Sequence, residues 1–99
     1  MMRFTITYDI SKDKKRNRLV KILEEFGERV QKSIFEFELT EAQYINLMKR
    51  LKEKGFLKRD PNYPDDSINI YYFDKNTETK TQRFGKKEPI IDRKLLSYI

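Results

Sequence analysis

The stretch Met2-Arg3-Phe4-Thr5-Ile6-Thr7-Tyr8-Asp9-Ile10 constrains the fold more than any other part of the chain. Apolar and polar residues alternate through it. A period of two places Met2, Phe4, Ile6, Tyr8 and Ile10 on one face of a strand and Arg3, Thr5, Thr7 and Asp9 on the other. The first face belongs to a core. The second ends in a lone carboxylate, Asp9, and is either a wetted sheet surface or half of an interface. We expect the interface.

Beyond Ile10, Ser11 is placed to cap a helix, Asp13 lies in the first turn where the helix dipole favours an acid, and Gly27 is placed to end the helix in a left-handed cap. Leu19, Val20, Ile22, Leu23 and Phe26 form the buried stripe of this helix, with Lys14, Arg18, Lys21 and Glu25 away from its centre. Arg16 falls on the sheet-facing side, so its stem can lie along the core edge while its guanidinium reaches toward the strand end that carries Asp9. Between residues 29 and 39 the apolar phase breaks, because Val30 is even but Phe35, Phe37 and Leu39 are odd. Two short strands, 29–31 and 34–39, joined by a turn at Lys32-Ser33 satisfy this pattern; a single bulged strand is the alternative.

A second helix has a clear start. Thr40 and Gln43 have capping-box spacing, Leu39 and Tyr44 flank it as a hydrophobic staple, and Tyr44, Leu47, Met48 and Leu51 recur at helical intervals up to Gly55. This aromatic and methionine stripe is assigned to the core. Residues 58–66 form a polar loop with two prolines. Residues 67–73 then read as a strand apolar on both faces, which implies a second covering layer. A threonine-rich strand over 77–84 completes a domain spanning residues 1–84. The tail, 85–99, carries Ile90, Ile91, Leu95 and Leu96 and is expected to dock on a dimer partner.

Composition narrows the chemistry. The 99 residues include neither cysteine nor histidine, so disulfides, thiolate metal sites and histidine general bases are excluded, and any metal must be hard and held by oxygen. A single domain of this size buries only about two-thirds of its unfolded surface, so association would add stability. The formal charge of +6 suits a polyanionic partner such as nucleic acid, or simply a basic soluble surface. No apolar run reaches the roughly 20 residues of a membrane span, and no signal-peptide pattern precedes Arg3, so a cytoplasmic protein without membrane contact is expected.

Strand, helix, two strands, helix, strand is the order of the ferredoxin-like α+β fold, an antiparallel sheet with both helices on one face. Within that frame, Tyr8-Asp9-Ile10-Ser11, the basic run Lys14-Lys15-Arg16-Asn17-Arg18, the phrase Arg29-Val30-Gln31-Lys32-Ser33-Ile34-Phe35-Glu36 and the helix entry Glu38-Leu39-Thr40 together resemble CRISPR-associated protein two. That family supplies a small nuclease-like subunit of the spacer-acquisition machinery. The resemblance runs from residue 2 to about residue 73 and departs from the family's common Glu-Gly at the hairpin end, where this chain has Glu36-Phe37.

The resemblance implies a homodimer in which Asp9 from each protomer faces its counterpart across a two-fold axis and the pair holds Mg2+ or Mn2+. It places Arg16, Arg18 and Arg29, with Lys14 and Lys15 beside them, on nucleic acid, and Tyr8 and Phe35 near the site and the dimer contact. Implied partners are double-stranded DNA, single-stranded RNA and the integrase, CRISPR-associated protein one. Taken without it, Asp9 reads as a helix-entry aspartate, Arg16 and Arg18 as a solvated helix face, and Phe35 as core. Three functions stay open: a metal-dependent endonuclease acting on RNA or duplex DNA, a non-catalytic DNA-binding scaffold dimer, and a toxin-type endoribonuclease of the same fold.

Overall fold

The computed structural model describes residues 1–73 and 79–85. In chain order the elements are β1 (Met2–Asp9), α1 (Asp13–Glu24), β2 (Glu28–Gln31), β3 (Ile34–Leu39), α2 (Glu41–Glu53), β4 (Ser67–Phe73) and β5 (Thr79–Gly85). They form a five-stranded sheet in the order β2-β3-β1-β4-β5, antiparallel at every pairing. This is the ferredoxin-like arrangement with one strand added beside β4. The expected docking tail, residues 85–99, lies outside the described residues except for Gly85, which ends β5.

The alternation in β1 decides the layers. Phe4, Ile6 and Tyr8 are buried, and across the ladders they meet the face carrying Phe35, Phe37, Ile68 and Ile70. Leu19, Ile22 and Leu23 of α1 and Leu47 and Leu51 of α2 close the same core, so both helices cover one side of the sheet. Phe4 organises its aromatic part: its ring stacks on Phe37 with centroids 4.7 Å apart and receives the edge of Tyr44 at 5.4 Å. The Tyr44 and Tyr72 hydroxyls share a hydrogen bond of 2.5 Å, and burial, helped by that bond, pushes the Tyr72 phenol above the usual tyrosine range.

The opposite face is not uniformly wet, contrary to a simple polar reading of Arg3, Thr5, Thr7 and Asp9. Arg3 and Asp9 are exposed, but Thr5 is buried opposite Tyr71, itself buried, at the centre of that face. The both-sided apolar pattern of residues 67–73 has this physical counterpart.

Several local signals resolve differently from expectation. Ser11 does not cap α1: the N-cap position is Lys12, without a side-chain cap, and Ser11 instead donates to Asp66 from its backbone nitrogen and its hydroxyl, each at 2.9 Å. Gly27 does not adopt a left-handed φ; Gly55, at φ 79°, does. Gly27 is glycine because a Cβ there would run into the Phe37 ring. The phase break at residues 29–39 is met twice over, by a hairpin turn at Lys32-Ser33 and by a register shift between Arg29 and Gln31. The capping box is present as read, with Thr40 Oγ1 accepting from the Gln43 nitrogen at 3.2 Å and Gln43 Oε1 accepting from the Thr40 nitrogen at 2.9 Å. Among the described residues, no helix is long and apolar enough to cross a membrane.

Candidate nucleic-acid interface

Asp9 ends β1, the central strand, and pairs in register with Ser67 at the start of β4. It is exposed, while Tyr8 before it and Ile10 after it are buried. The carboxylate thus leaves the sheet from a point anchored on both sides.

Contacts from the hairpin, the helix and the loop before β4 fix that anchorage. On one side, the Tyr8 hydroxyl donates to the Lys32 carbonyl at 3.0 Å and the Tyr8 nitrogen to the Ser33 carbonyl at 3.1 Å, tying β1 to the hairpin turn. Arg29 converges on the same Lys32 carbonyl, donating from Nε at 3.2 Å and Nη2 at 2.5 Å, with its guanidinium 6.0 Å from the Phe35 ring centre. Phe35 itself is fully buried, with its ring 6.3 Å from that of Tyr8. On the helix side, Arg16 Nη1 donates to the Ile10 carbonyl at 3.1 Å while its Nη2 pairs with Asp13. Behind the junction, Asp66 accepts both Ser11 donors.

The basic residues divide accordingly. Arg16 holds the strand exit, Arg29 holds the hairpin turn, and Lys15 is drawn inward, 15% exposed, with Nζ 3.6 Å from Asp60 and 3.9 Å from Asp66. Lys14, Arg18 and Lys21 are exposed and make no ion pair among the described residues. They follow one another four and three residues apart, so they line one face of α1 over roughly 10 Å, given a rise of about 1.5 Å per residue. A line of cations at that spacing on a rigid helix can follow a phosphate backbone.

Donors for a divalent cation are sparse among the described residues. No group of three acidic, histidine or cysteine side chains is gathered among the described residues, and Asp9 belongs to no such cluster. Magnesium takes one or two carboxylates together with water and phosphate oxygens. The described residues of one chain do not form such a site, and a second Asp9 would have to come from another copy.

The residue that pattern reading missed is Asp66. It sits in the polar loop before β4, where no periodicity distinguishes it from Asp60 or Asp65, and only the folded chain brings it to Ser11.

Fold and site together define a small ferredoxin-like α+β protein that presents a basic helix beside an exposed carboxylate at the end of its central strand. Solved structures narrow the class. A crystal structure of Cas2 superposes with a TM-score of 0.60 at 32% identity, over 90% of this chain and 93% of that one. A chain of a partial Cas6-RT-Cas1–Cas2 complex gives 0.61 at 29% identity, over 78% of this chain and 83% of its own. In sequence, the chain is 38% identical over 80 residues to a CRISPR-associated endoribonuclease Cas2 of Thermus thermophilus, covering 81% of this chain and 79% of the relative. Residues 2–81 match the family model of CRISPR associated protein Cas2, and the chain belongs to that family.

Proposed function

We propose that the protein is a nucleic-acid-binding scaffold of CRISPR spacer acquisition, acting as a symmetric homodimer on duplex DNA together with CRISPR-associated protein one. The observation that carries this reading is the exposed line of Lys14, Arg18 and Lys21 on α1, set on a chain that resembles a subunit of a Cas1-containing complex. Phosphate contacts of this kind position a duplex without reading its sequence. An isologous dimer built on the face carrying Arg3 and Asp9 would place two such lines symmetrically, and its interface should bury more than about 1,000 Å². The test is twofold. Sedimentation at micromolar concentration should give a dimer, and an integration assay with the partner integrase should fail when Lys14 and Arg18 are both replaced by Ala. A monomer, or normal integration by that double variant, would overturn the proposal.

A second reading, a magnesium- or manganese-dependent endonuclease acting on RNA or double-stranded DNA, is favoured by the relatives called endoribonucleases and by the exposure of Asp9. In this reading the Asp9 carboxylates of two protomers would hold the cation, which would supply an activated water as nucleophile. The two readings part at Asp9: the scaffold needs only its basic surface, the nuclease needs the carboxylate.

A further inference from the structure

Asp66 is 7% exposed and lies immediately before β4, whose first residue, Ser67, is paired with Asp9. Its Oδ1 accepts from the Ser11 nitrogen and from the Ser11 hydroxyl, both at 2.9 Å. Its Oδ2 is buried without a hydrogen-bond partner among the described residues and faces the Lys15 ammonium at 3.9 Å. Asp60 Oδ2 also lies 3.6 Å from that ammonium, and the Tyr63 ring centre 6.0 Å from it. One buried carboxylate therefore touches both the segment that leaves β1 and the first turn of α1. A buried carboxylate is costly unless it is bonded or paired, so these contacts hold together as a unit.

We infer that Asp66 is a positioning residue for the β1–α1 junction: it fixes how Asp9 leaves the sheet and how the basic helix starts, and together with Asp60 it withholds Lys15 from solvent. Arg16 donates to the Ile10 carbonyl and Asp66 accepts from the Ser11 nitrogen, so the two side chains hold the two polar groups of a single peptide unit. The same three side chains, Lys15, Asp60 and Asp66, line a small cleft together with Ile10 and Lys58, and there the Lys15 ammonium is within 3.9 Å of both carboxylates. The consequence for binding rests on the nucleic-acid reading proposed above; the consequence for the junction does not.

Amide hydrogen exchange on the full chain reads the junction directly. In Asp66→Ala the Ser11 amide should exchange about ten- to a hundredfold faster, the factor expected from losing a bond to a charged acceptor, while the amides of Phe4 and Ile6 keep their protection. Asp66→Asn keeps an acceptor oxygen of the same size, so it should restore most of the Ser11 protection, whereas Lys15 keeps its Asp60 partner at 3.6 Å and is released only when Asp60→Asn is combined with Asp66→Asn. Duplex affinity measured against salt should then steepen in the Asp60→Asn, Asp66→Asn double variant by up to about 0.9 log unit per log unit of salt, the contribution of one further phosphate contact. Unchanged Ser11 exchange in Asp66→Ala overturns the positioning role, as does equal loss of protection at Ser11, Phe4 and Ile6, which would mark plain destabilisation. An unchanged salt slope in the Asp60→Asn, Asp66→Asn double variant overturns the withholding of Lys15. If the wild-type protein shows no salt-dependent duplex binding, the nucleic-acid reading fails, and Ser11 exchange alone decides for or against Asp66.

Discussion

Replacing Gly27 by Ala should destabilise the protein far more than its surface-like position after a helix suggests. A methyl group at Gly27 would lie 2.5 Å from Phe37 Cδ1, 2.6 Å from Phe37 Cε1 and 2.6 Å from the Glu36 carbonyl oxygen. The Phe37 ring cannot retreat, because it is stacked on Phe4 at 4.7 Å with planes only 5° apart, and both rings are buried. The carbonyl oxygen belongs to β3 and is backbone, so no rotamer change relieves it. Overpacking of this kind costs about 1–3 kcal/mol. Alanine offsets part of that, about 0.4–1 kcal/mol, by restricting the unfolded chain. A net loss of about 2 kcal/mol, toward the upper end of what these two figures allow, lowers the melting temperature of a domain of this size by about 8–16 °C. Calorimetry at one fixed protein concentration, with a urea titration to check that the slope is unchanged, measures it. Gly55 is the internal control. Its φ of 79° favours glycine, but the nearest atom to an added Cβ is Lys58 Cε at 4.0 Å, so Gly55→Ala should cost about 1 kcal/mol through the backbone alone. Asparagine tolerates the left-handed region, so Gly55→Asn should recover part of the loss, whereas Gly27→Asn should be worse than Gly27→Ala. A Gly27→Ala protein melting within about 2 °C of wild type, or rescue by Asn at position 27, would refute the packing argument.

Thr40→Ala removes the hydroxyl half of the capping box and should cost about 1 kcal/mol in urea unfolding. Lys14→Ala and Arg18→Ala should each reduce the salt slope of duplex binding by about 0.9, additively, as read by fluorescence anisotropy at several salt concentrations. Asp9→Asn should leave the dimer and duplex binding in place; loss of magnesium-dependent cleavage with normal integration would separate the nuclease chemistry from the scaffold. The raised Tyr72 phenol implies alkaline destabilisation. Above the ordinary tyrosine pKa of about 10 the unfolded chain releases a proton that the folded chain retains, so stability is full below that pH and falls as pH rises through it. Tyr72→Phe should flatten that part of the stability–pH curve.

What could be read from the sequence was local. Alternation in β1 needs only a period of two, the Thr40 and Gln43 box spans one turn, and Gly55 marks the end of its own helix. Ser11 carried an equally good local signal and was redirected, because Asp66, 55 residues later, offers its two donors a buried carboxylate. Gly27 likewise looks like a helix terminator until β3 packs against it and Phe37 claims the space. The sorting of the basic residues was hidden for the same reason. Lys15 and Lys14 are neighbours in sequence, but Lys15 meets a loop whose residues follow no repeat, while Lys14 faces solvent. Family resemblance marked Arg16 and Arg29 as functional without revealing that both donate to backbone carbonyls of this chain.

The outer edge of the sheet at β2 bears on how the protein survives at high concentration. An uncovered strand edge offers unpaired amides and carbonyls to any other chain, and long flat edges seed aggregation. Here β2 is only four residues long, all four are exposed, and two of them are Glu28 and Arg29. The register shift between Arg29 and Gln31 also bends the strand where Val30 stands. An incoming strand would find neither a straight run of partners nor a neutral one. The kink that first shows in the sequence as a phase error between Val30 and Phe35 thus keeps this side of the sheet closed to further growth.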